Sequence, residues 1–203
     1  MNHPLQCRCG TVRGLVADPR SANHVVCYCE DCQAFAHFLG RQADVLDERG
    51  GSEVIQTLPR NVSFSQGIEA LACIRLTHKG LLRWYTACCN TPIGNTLANP
   101  KLSFVGLLHS CLESPGGPLQ DAFGPVRGWI YTKRAKGDPK PRTEGLGAAV
   151  LWFITNTLKV RINGDYKRTP FFRADATTPV ASPRVLSSAE HERLMNAVRA
   201  GTR

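Results

Sequence analysis

No stretch of this chain stays apolar long enough to cross a bilayer. The longest uninterrupted candidate, residues 146–154, is about half the ~20 residues that a spanning helix needs, so an integral membrane protein is not expected. The opening Met1-Asn2-His3-Pro4-Leu5-Gln6 lacks the charged region and following apolar stretch of a secretory leader. An internal repeat is also missing, and Gly116-Gly117 lacks the rest of a phosphate-binding loop, so it reads as a turn. The cysteine count is nine, which is odd and cannot be fully paired. Without a leader the expected compartment is cytoplasmic, where disulfides are rare.

Excess charge is absent from the first part of the chain. Residues 1–124 carry ten Lys/Arg against ten Asp/Glu, whereas residues 125–203 carry fifteen against six, so the whole net charge of +9 lies in the second part. This step predicts a boundary near Gly124-Pro125, between a cysteine-bearing domain (1–124) and a basic, partly helical extension (125–203) packed on or beside it. The excess suits a nucleic-acid or anionic-lipid surface. It equally suits a solvated face that aids solubility, because Asp and Glu are interspersed. A length of 203 residues with 42% apolar content is enough to bury a core.

The coarse pattern is mainly β with short helices. Residues 10–16 and 24–26 read as short strands, each beside a cysteine cluster. Residues 30–39 place Ala34, Phe35, Phe38 and Leu39 on one side of a short helix ended by Gly40, with Cys29 and Cys32 where the chain enters it. Residues 53–58 form a further strand. Residues 70–77 and 81–86 read as a hairpin turning at His78-Lys79-Gly80 and delivering Cys88 and Cys89. A strand over 102–108, a loop over 114–118, a strand over 126–132, a basic loop over 133–142 and a helix over 146–160 follow. That helix has basic flanks and could cover a sheet, make a subunit contact or dock on a membrane surface. Ser187-Ser188-Ala189-Glu190 is a capping box opening a last helix that bears Leu194, Ala197 and Val198.

Thiols at one- and two-residue spacing converge readily on one metal ion, and zinc takes four such ligands in a tetrahedron. Cys7 and Cys9, at i and i+2 of a strand, face one side and supply two ligands of a site, with Gly10 relaxing the turn. The pair cannot close a site alone, and Cys88 or Cys89 is the natural distant source. Cys27, Cys29 and Cys32 supply three ligands locally and leave a fourth position for water or substrate, as in a catalytic site. A purely structural role with a fourth ligand from elsewhere is the competing reading. Cys73 reads as a small core residue and His37 as an ordinary packed or surface histidine; His24 and His78 lack a partner pattern. His109 and Cys111 end an apolar strand facing one way and are further candidates to approach a metal.

In order, Cys7-Arg8-Cys9-Gly10, Cys27-Tyr28-Cys29-Glu30-Asp31-Cys32 and Cys89-Asn90-Thr91-Pro92 resemble the signature of the glutathione-dependent formaldehyde-activating enzyme and centromere protein V family. That signature reads C-x-C-G, then C-x-C-x-x-C, then C-x-x-C-G-[ST]-P. The resemblance spans roughly residues 5–110. The segment after Gly124 lies outside it, and together with Cys-Gln-Ala-Phe-Ala-His-Phe-Leu-Gly (32–40) looks like a bacterial branch with its own extension. The resemblance implies a zinc-bound, mainly β fold, the β-tent also seen in a Rab nucleotide-exchange factor. It implies two Zn²⁺ ions, one structural and held by Cys7, Cys9 and Cys89, the other potentially catalytic and held by Cys27, Cys29 and Cys32. The implied activity is that of a carbon–sulfur lyase, joining a small thiol such as glutathione to an aldehyde, formaldehyde, as S-hydroxymethylglutathione.

The chain departs from the signature at Thr86, where the family has the first cysteine of its last pair; Cys88 appears instead, directly before Cys89. Neighbours on a regular strand point oppositely, so both reach one ion only if the backbone kinks there. Otherwise His109, Cys111 or water fills the place. Asn90 replaces the signature glycine and is among the few other residues that tolerate a left-handed turn. Three thiolates make zinc a weak Lewis acid but suit it to an incoming thiol, which would bind with a lowered pKa. Two functions follow: an enzyme of thiol–aldehyde adducts, or a non-catalytic zinc module whose basic segment binds nucleic acid or a protein partner.

Overall fold

Short runs, some buried on one side and Pro92–Thr96 and Val105–Leu108 buried throughout, set two sheets. The computed structural model describes residues 2–112, 118–175 and 177–201. In chain order the elements are β1 (His3–Gln6), β2 (Arg13–Val16), β3 (Asn23–Cys27), α1 (Glu30–Leu39), α2 (Gln42–Val45), β4 (Ser52–Thr57), β5 (Val62–Gln66) and β6 (Leu71–Arg75). Then come β7 (Leu82–Thr86), β8 (Pro92–Thr96), β9 (Val105–Leu108), α3 (Leu119–Phe123), β10 (Gly128–Ile130), α4 (Leu146–Ile162), β11 (Arg184–Val185) and α5 (Ser188–Ala200). The protein is therefore mainly β, with two sheets and a few helices. The expected loop over 114–118 lies, except for Pro118, outside the described residues.

The smaller sheet is antiparallel, in the order β1-β2-β5. The larger has eight strands, β10-β3-β4-β9-β8-β7-β6-β11, with only its two outermost strands pairing in parallel. The main core includes Leu5, Val12, Val16 and Val62 of the small sheet's segments together with Ile55, Trp84, Ile93 and Leu107 of the large one. Trp84 is fully buried, and its indole N–H donates to Thr96 Oγ1 at 2.9 Å. Burying a side chain of this kind stabilises by roughly 1.5–3 kcal/mol. α1 and α5 cover another part of the large sheet through Phe35, Leu39, Ile74, Leu186 and Val198. The capping box forms as expected: Glu190 N–H donates to Ser187 Oγ, and the Glu190 carboxylate accepts from Ser187 N–H.

Residues beyond Gly124 do more than attach to this frame. β10 and β11 extend the large sheet at both edges, and Phe171 is fully buried 5.3 Å from the Trp84 ring. The charge step at Gly124 is thus not a break in the core. Among the described residues no helix is long and apolar enough to cross a membrane.

Some strands differ from expectation for identifiable reasons. The expected strand over 10–16 begins only at Arg13, because Cys7 to Val12 form a turn in which Gly10 N–H donates to Cys7 O and Cys7 N–H to Val12 O. β1 contains Pro4 and escapes a propensity reading; at the edge of a sheet a missing N–H costs little. β8 reads as Pro-Ile-Gly-Asn-Thr, an unpromising string, yet every residue is buried between β7 and β9. At Gly94 a Cβ would lie 2.9 Å from the Gly106 carbonyl oxygen, so glycine is what lets β8 and β9 approach.

His24, which offered no partner pattern in sequence, is fully buried in β3. Its Nε2 meets Glu53 Oε1 at 2.5 Å and its Nδ1 meets the Gly124 carbonyl at 2.8 Å. Both partners are acceptors, so the ring donates twice and is cationic. Burial opposes that charge, but Glu53 and the Gly124 carbonyl outweigh it and raise the pKa. With the folded-state value above the unfolded 6.5, the contribution is complete below pH 6.5 and is lost as pH rises through the raised folded-state value. Thermal unfolding midpoints should fall across that window in the wild type. His24→Gln should flatten the dependence and cost about 1–3 kcal/mol at pH 6.

Candidate metal centres

Cys7, Cys9, Cys88 and Cys89 form one group of sulfurs that lie within 4.8 Å of one another, and Cys27, Cys29 and Cys32 form another. All nine cysteines are free thiols, so neither group is a set of disulfides. A tetrahedron with Zn–S near ~2.3 Å has S···S edges near ~3.8 Å. The Sγ separations observed include 3.9 Å for Cys7–Cys88, 3.8 Å for Cys88–Cys89, 3.3 Å for Cys9–Cys88 and 3.9 Å for Cys27–Cys32. Both donor sets therefore suit a soft-ligand metal ion.

The four-sulfur group is built by two turns. One follows β1 and carries Cys7 and Cys9, which converge through the turn and not through the pleat of a strand as expected. The other follows β7, where residues 87–89 leave the strand and Asn90 takes a left-handed φ of 54°. That turn removes strand alternation, which is how adjacent Cys88 and Cys89 both reach the group. Cys88 thus contributes the fourth sulfur of the group. Cys111 is buried with its thiol against the Ile93 and Leu108 carbonyls, and His109 Nε2 meets the Asp44 carbonyl; neither belongs to a sulfur group. Cys73 is a buried strand residue whose thiol is pushed up to about 12 by burial.

Donors surround these sulfurs. Val12 N–H donates to Cys7 Sγ at 3.2 Å, and the Thr11 hydroxyl lies 3.2 Å from Cys9 Sγ. Thr86 and Thr91 hydroxyls lie 3.4 and 3.1 Å from Cys89 Sγ. Burial would raise the Cys89 thiol, but these hydroxyls outweigh it and bring it down to about 5. Thr86 thus places a hydroxyl beside the Cys89 sulfur.

The three-sulfur group sits where β3 runs into α1. Cys27 ends β3, Cys29 is the N-cap of α1 and Cys32 lies in its first turn, so the positive helix end faces the thiols. Gly40, at φ 64°, closes the helix as expected. Arg83 of β7, only 1% exposed, is the group's main cationic neighbour. It bonds Asn95 Oδ1 at 3.2 Å and Asp31 Oδ2 at 3.3 Å, and its guanidinium lies over the Phe35 ring. Burial works against the guanidinium's charge, while the Cys32 and Cys29 sulfurs and Asp31 favour it. Hydrogen bonding with Cys27 and Cys29, aided by Arg83, holds the Cys32 thiol well below its ordinary range despite burial. Hydrogen bonding with Cys29 and Cys32, followed by burial, pushes Cys27 well above it. The three thiols thus differ in how readily they ionise, with Arg83, itself paired with Asp31, as the nearby cation.

A cavity of about 500 Å³ opens onto these sulfurs. Val25, Val54, Leu81, Phe104 and Ile130 give it apolar walls, and Arg83, Asn95 and Gln56 supply polar groups. Tyr131 and Arg134, from beyond Gly124, complete the lining, and Arg134 Nη1 pairs with Glu30 at 3.1 Å. Ile130 is in register with Cys27, so β10 places them there. Tyr131 has φ 57°, an uncommon conformation for a bulky residue. Sequence reading missed Arg83, Tyr131 and Arg134, because nothing local in their runs points to the cysteines.

The family of unknown function DUF6151 matches residues 1–182, so the chain belongs to that family. A crystal structure of a Rhodobacter sphaeroides protein is similar at a TM-score of 0.40 and 19% identity, covering 63% of this chain and 99% of that one. No curated protein matches the chain.

Cys88→Ser should remove one equivalent of bound metal and destabilise the fold by about 2–4 kcal/mol. Thr86→Val should keep the metal and cost only ~1 kcal/mol through the lost hydrogen bonds. Metal analysis paired with denaturant unfolding separates the two; full metal retention in Cys88→Ser would remove Cys88 from the ligand set.

Proposed function

We propose that this DUF6151 member is a zinc protein of thiol–aldehyde chemistry, making or breaking the carbon–sulfur bond of a hydroxyalkyl thioether at the three-cysteine site. The observation that carries the reading is the open donor set. Cys27, Cys29 and Cys32 converge at a cavity of about 500 Å³, and among the described residues no fourth Cys, His, Asp or Glu joins them. The four-cysteine group would hold a second, structural zinc that fastens the two sheets, in the manner of the zinc-bound β-tent. The order of the cysteine motifs supports the same assignment. A zinc ion bound by three thiolates supplies a coordination position at which an incoming small thiol, such as glutathione, ionises readily.

The chain's own residues supply the remainder. Addition forms one S–C bond and converts the aldehyde C=O into an alcohol, so the thiol proton ends on oxygen and no oxidant or reductant is consumed. Arg83, shared between Asp31 and the sulfurs, places a buried cation beside the net negative charge of three thiolates around a divalent ion. Tyr131 lines the same cavity. A phenol is ordinarily protonated near neutral pH, so Tyr131 can donate to the developing alkoxide oxygen. The held geometry of Tyr131, at positive φ, fits a residue placed for contact and not for backbone economy.

Exchange between small thiols and formaldehyde should be accelerated by the metal-loaded protein. Cys32→Ser should abolish the acceleration, and Tyr131→Phe should slow it by about a hundred-fold or more with metal content unchanged. Rates equal to buffer across several thiols and aldehydes would sink the assignment.

A further inference from the structure

Among the described residues, six of the ten exposed large hydrophobic side chains lie on α4. Leu151, Ile154, Leu158 and Ile162 are 63%, 54%, 55% and 78% exposed, and Leu146 and Val150 are exposed as well. At ~3.6 residues per turn, Leu146, Val150, Ile154, Leu158 and Ile162 form one i, i+4 ridge, with Leu151 beside it. The opposite face is already used: Ala149, Thr157 and Val160 are buried, Phe153 packs on Phe104, and Trp152 donates to the Ser21 carbonyl at 3.2 Å. The helix is thus apolar on both sides: Leu146 and Val150, at the start of the ridge, border a cavity shared with Phe104, Ile130 and Tyr131, and from Leu151 onward the ridge is exposed. An exposed row of branched side chains this long is a recognition surface more often than an accident.

Charge indicates what meets it. α4 contains no Asp or Glu, and exposed Lys159 and Arg161 fall on either side of the ridge. The turn Asp165–Lys167, which packs against α4, adds exposed Lys167, followed by exposed Arg168. Its one acid, Asp165, is already tied to Arg60 and Arg168. A second copy seated here would bring the Lys159 and Arg161 of both chains together with no acid in α4 to pair with them. An anionic lipid surface meets both features, because aliphatic side chains enter the acyl boundary while flanking cations reach headgroup phosphates. We propose that α4 docks the protein on an anionic bilayer surface, lying in the interface with this ridge inward. The helix does not cross: its other face is committed to the fold, and at ~1.5 Å per residue its 17 residues fall short of the ~30 Å hydrocarbon core. Docking is independent of what the cysteine groups bind.

The test is co-sedimentation of the intact, metal-loaded protein with phosphatidylcholine vesicles, with and without phosphatidylglycerol. Binding to the anionic vesicles, weakened by added salt and slight on phosphatidylcholine alone, is expected. The double variant Leu158→Glu/Ile162→Glu should lose at least about ten-fold in partition with its melting midpoint unchanged, since both residues are exposed. Lys159→Gln and Arg161→Gln should each cost about five-fold on anionic vesicles only. Absence of binding at low salt, or binding untouched by the glutamate pair, overturns the proposal. So does a wild type that dimerises in solution, turns monomeric in the glutamate variant and ignores vesicles, because the face then belongs to a second copy.

Discussion

Clustered sulfur charge is the constraint on which this structure depends. Sulfurs within 4.8 Å of one another cannot all ionise unless something positive stands among them. The protein eases that repulsion at two places and in two ways, neither of them a substitute for a cation among the sulfurs. Around Cys7, Cys9 and Cys89 it supplies neutral donors, a backbone N–H and three threonine hydroxyls. Around Cys29 and Cys32 it supplies a helix end and the buried guanidinium of Arg83.

The difference has architectural consequences. Cys7 and Cys88, 81 residues apart, join the turn after the small sheet's edge strand to the turn after β7 of the large sheet. Their meeting fastens one sheet to the other over the main core, which suits a closed site. The three-sulfur group stays within one strand–helix junction, and its far wall comes from β10 and the residues just after it. A cavity with apolar walls, a buried arginine and a tyrosine at its mouth is consistent with chemistry on a small thiol and carbonyl, and the basic part of the chain is then integral to that site.

Local signals were legible in the sequence. The entry of the chain into α1, its end at Gly40, the capping box at Ser187 and the hairpin before Cys88 follow from residue chemistry alone. The sevenfold cysteine set and its division between Cys7/Cys9 and Cys27/Cys29/Cys32 were also visible from spacing; that Cys88 and Cys89 both join the first group emerged once the turn at residues 87–89 replaced strand geometry. What escaped was tertiary. β8 is buried for the sake of its neighbours and not for its composition, and Arg83 is an ordinary strand residue until β7 is laid beside α1. His24 gained its role only through Glu53 and the Gly124 carbonyl, partners 29 and 100 residues away. The α4 ridge was readable as apolar, but which side the fold would cover was not.

The proposed function requires one closed four-thiolate centre and one open three-thiolate centre. Cadmium has the same charge as zinc and a stronger preference for thiolates, so NMR of the cadmium-substituted protein reads both centres at once. Two resonances are predicted, one of them all-sulfur in character, and titration with a small thiol should move only the other. A single resonance, or two that both ignore the thiol, would rule out this pair of centres.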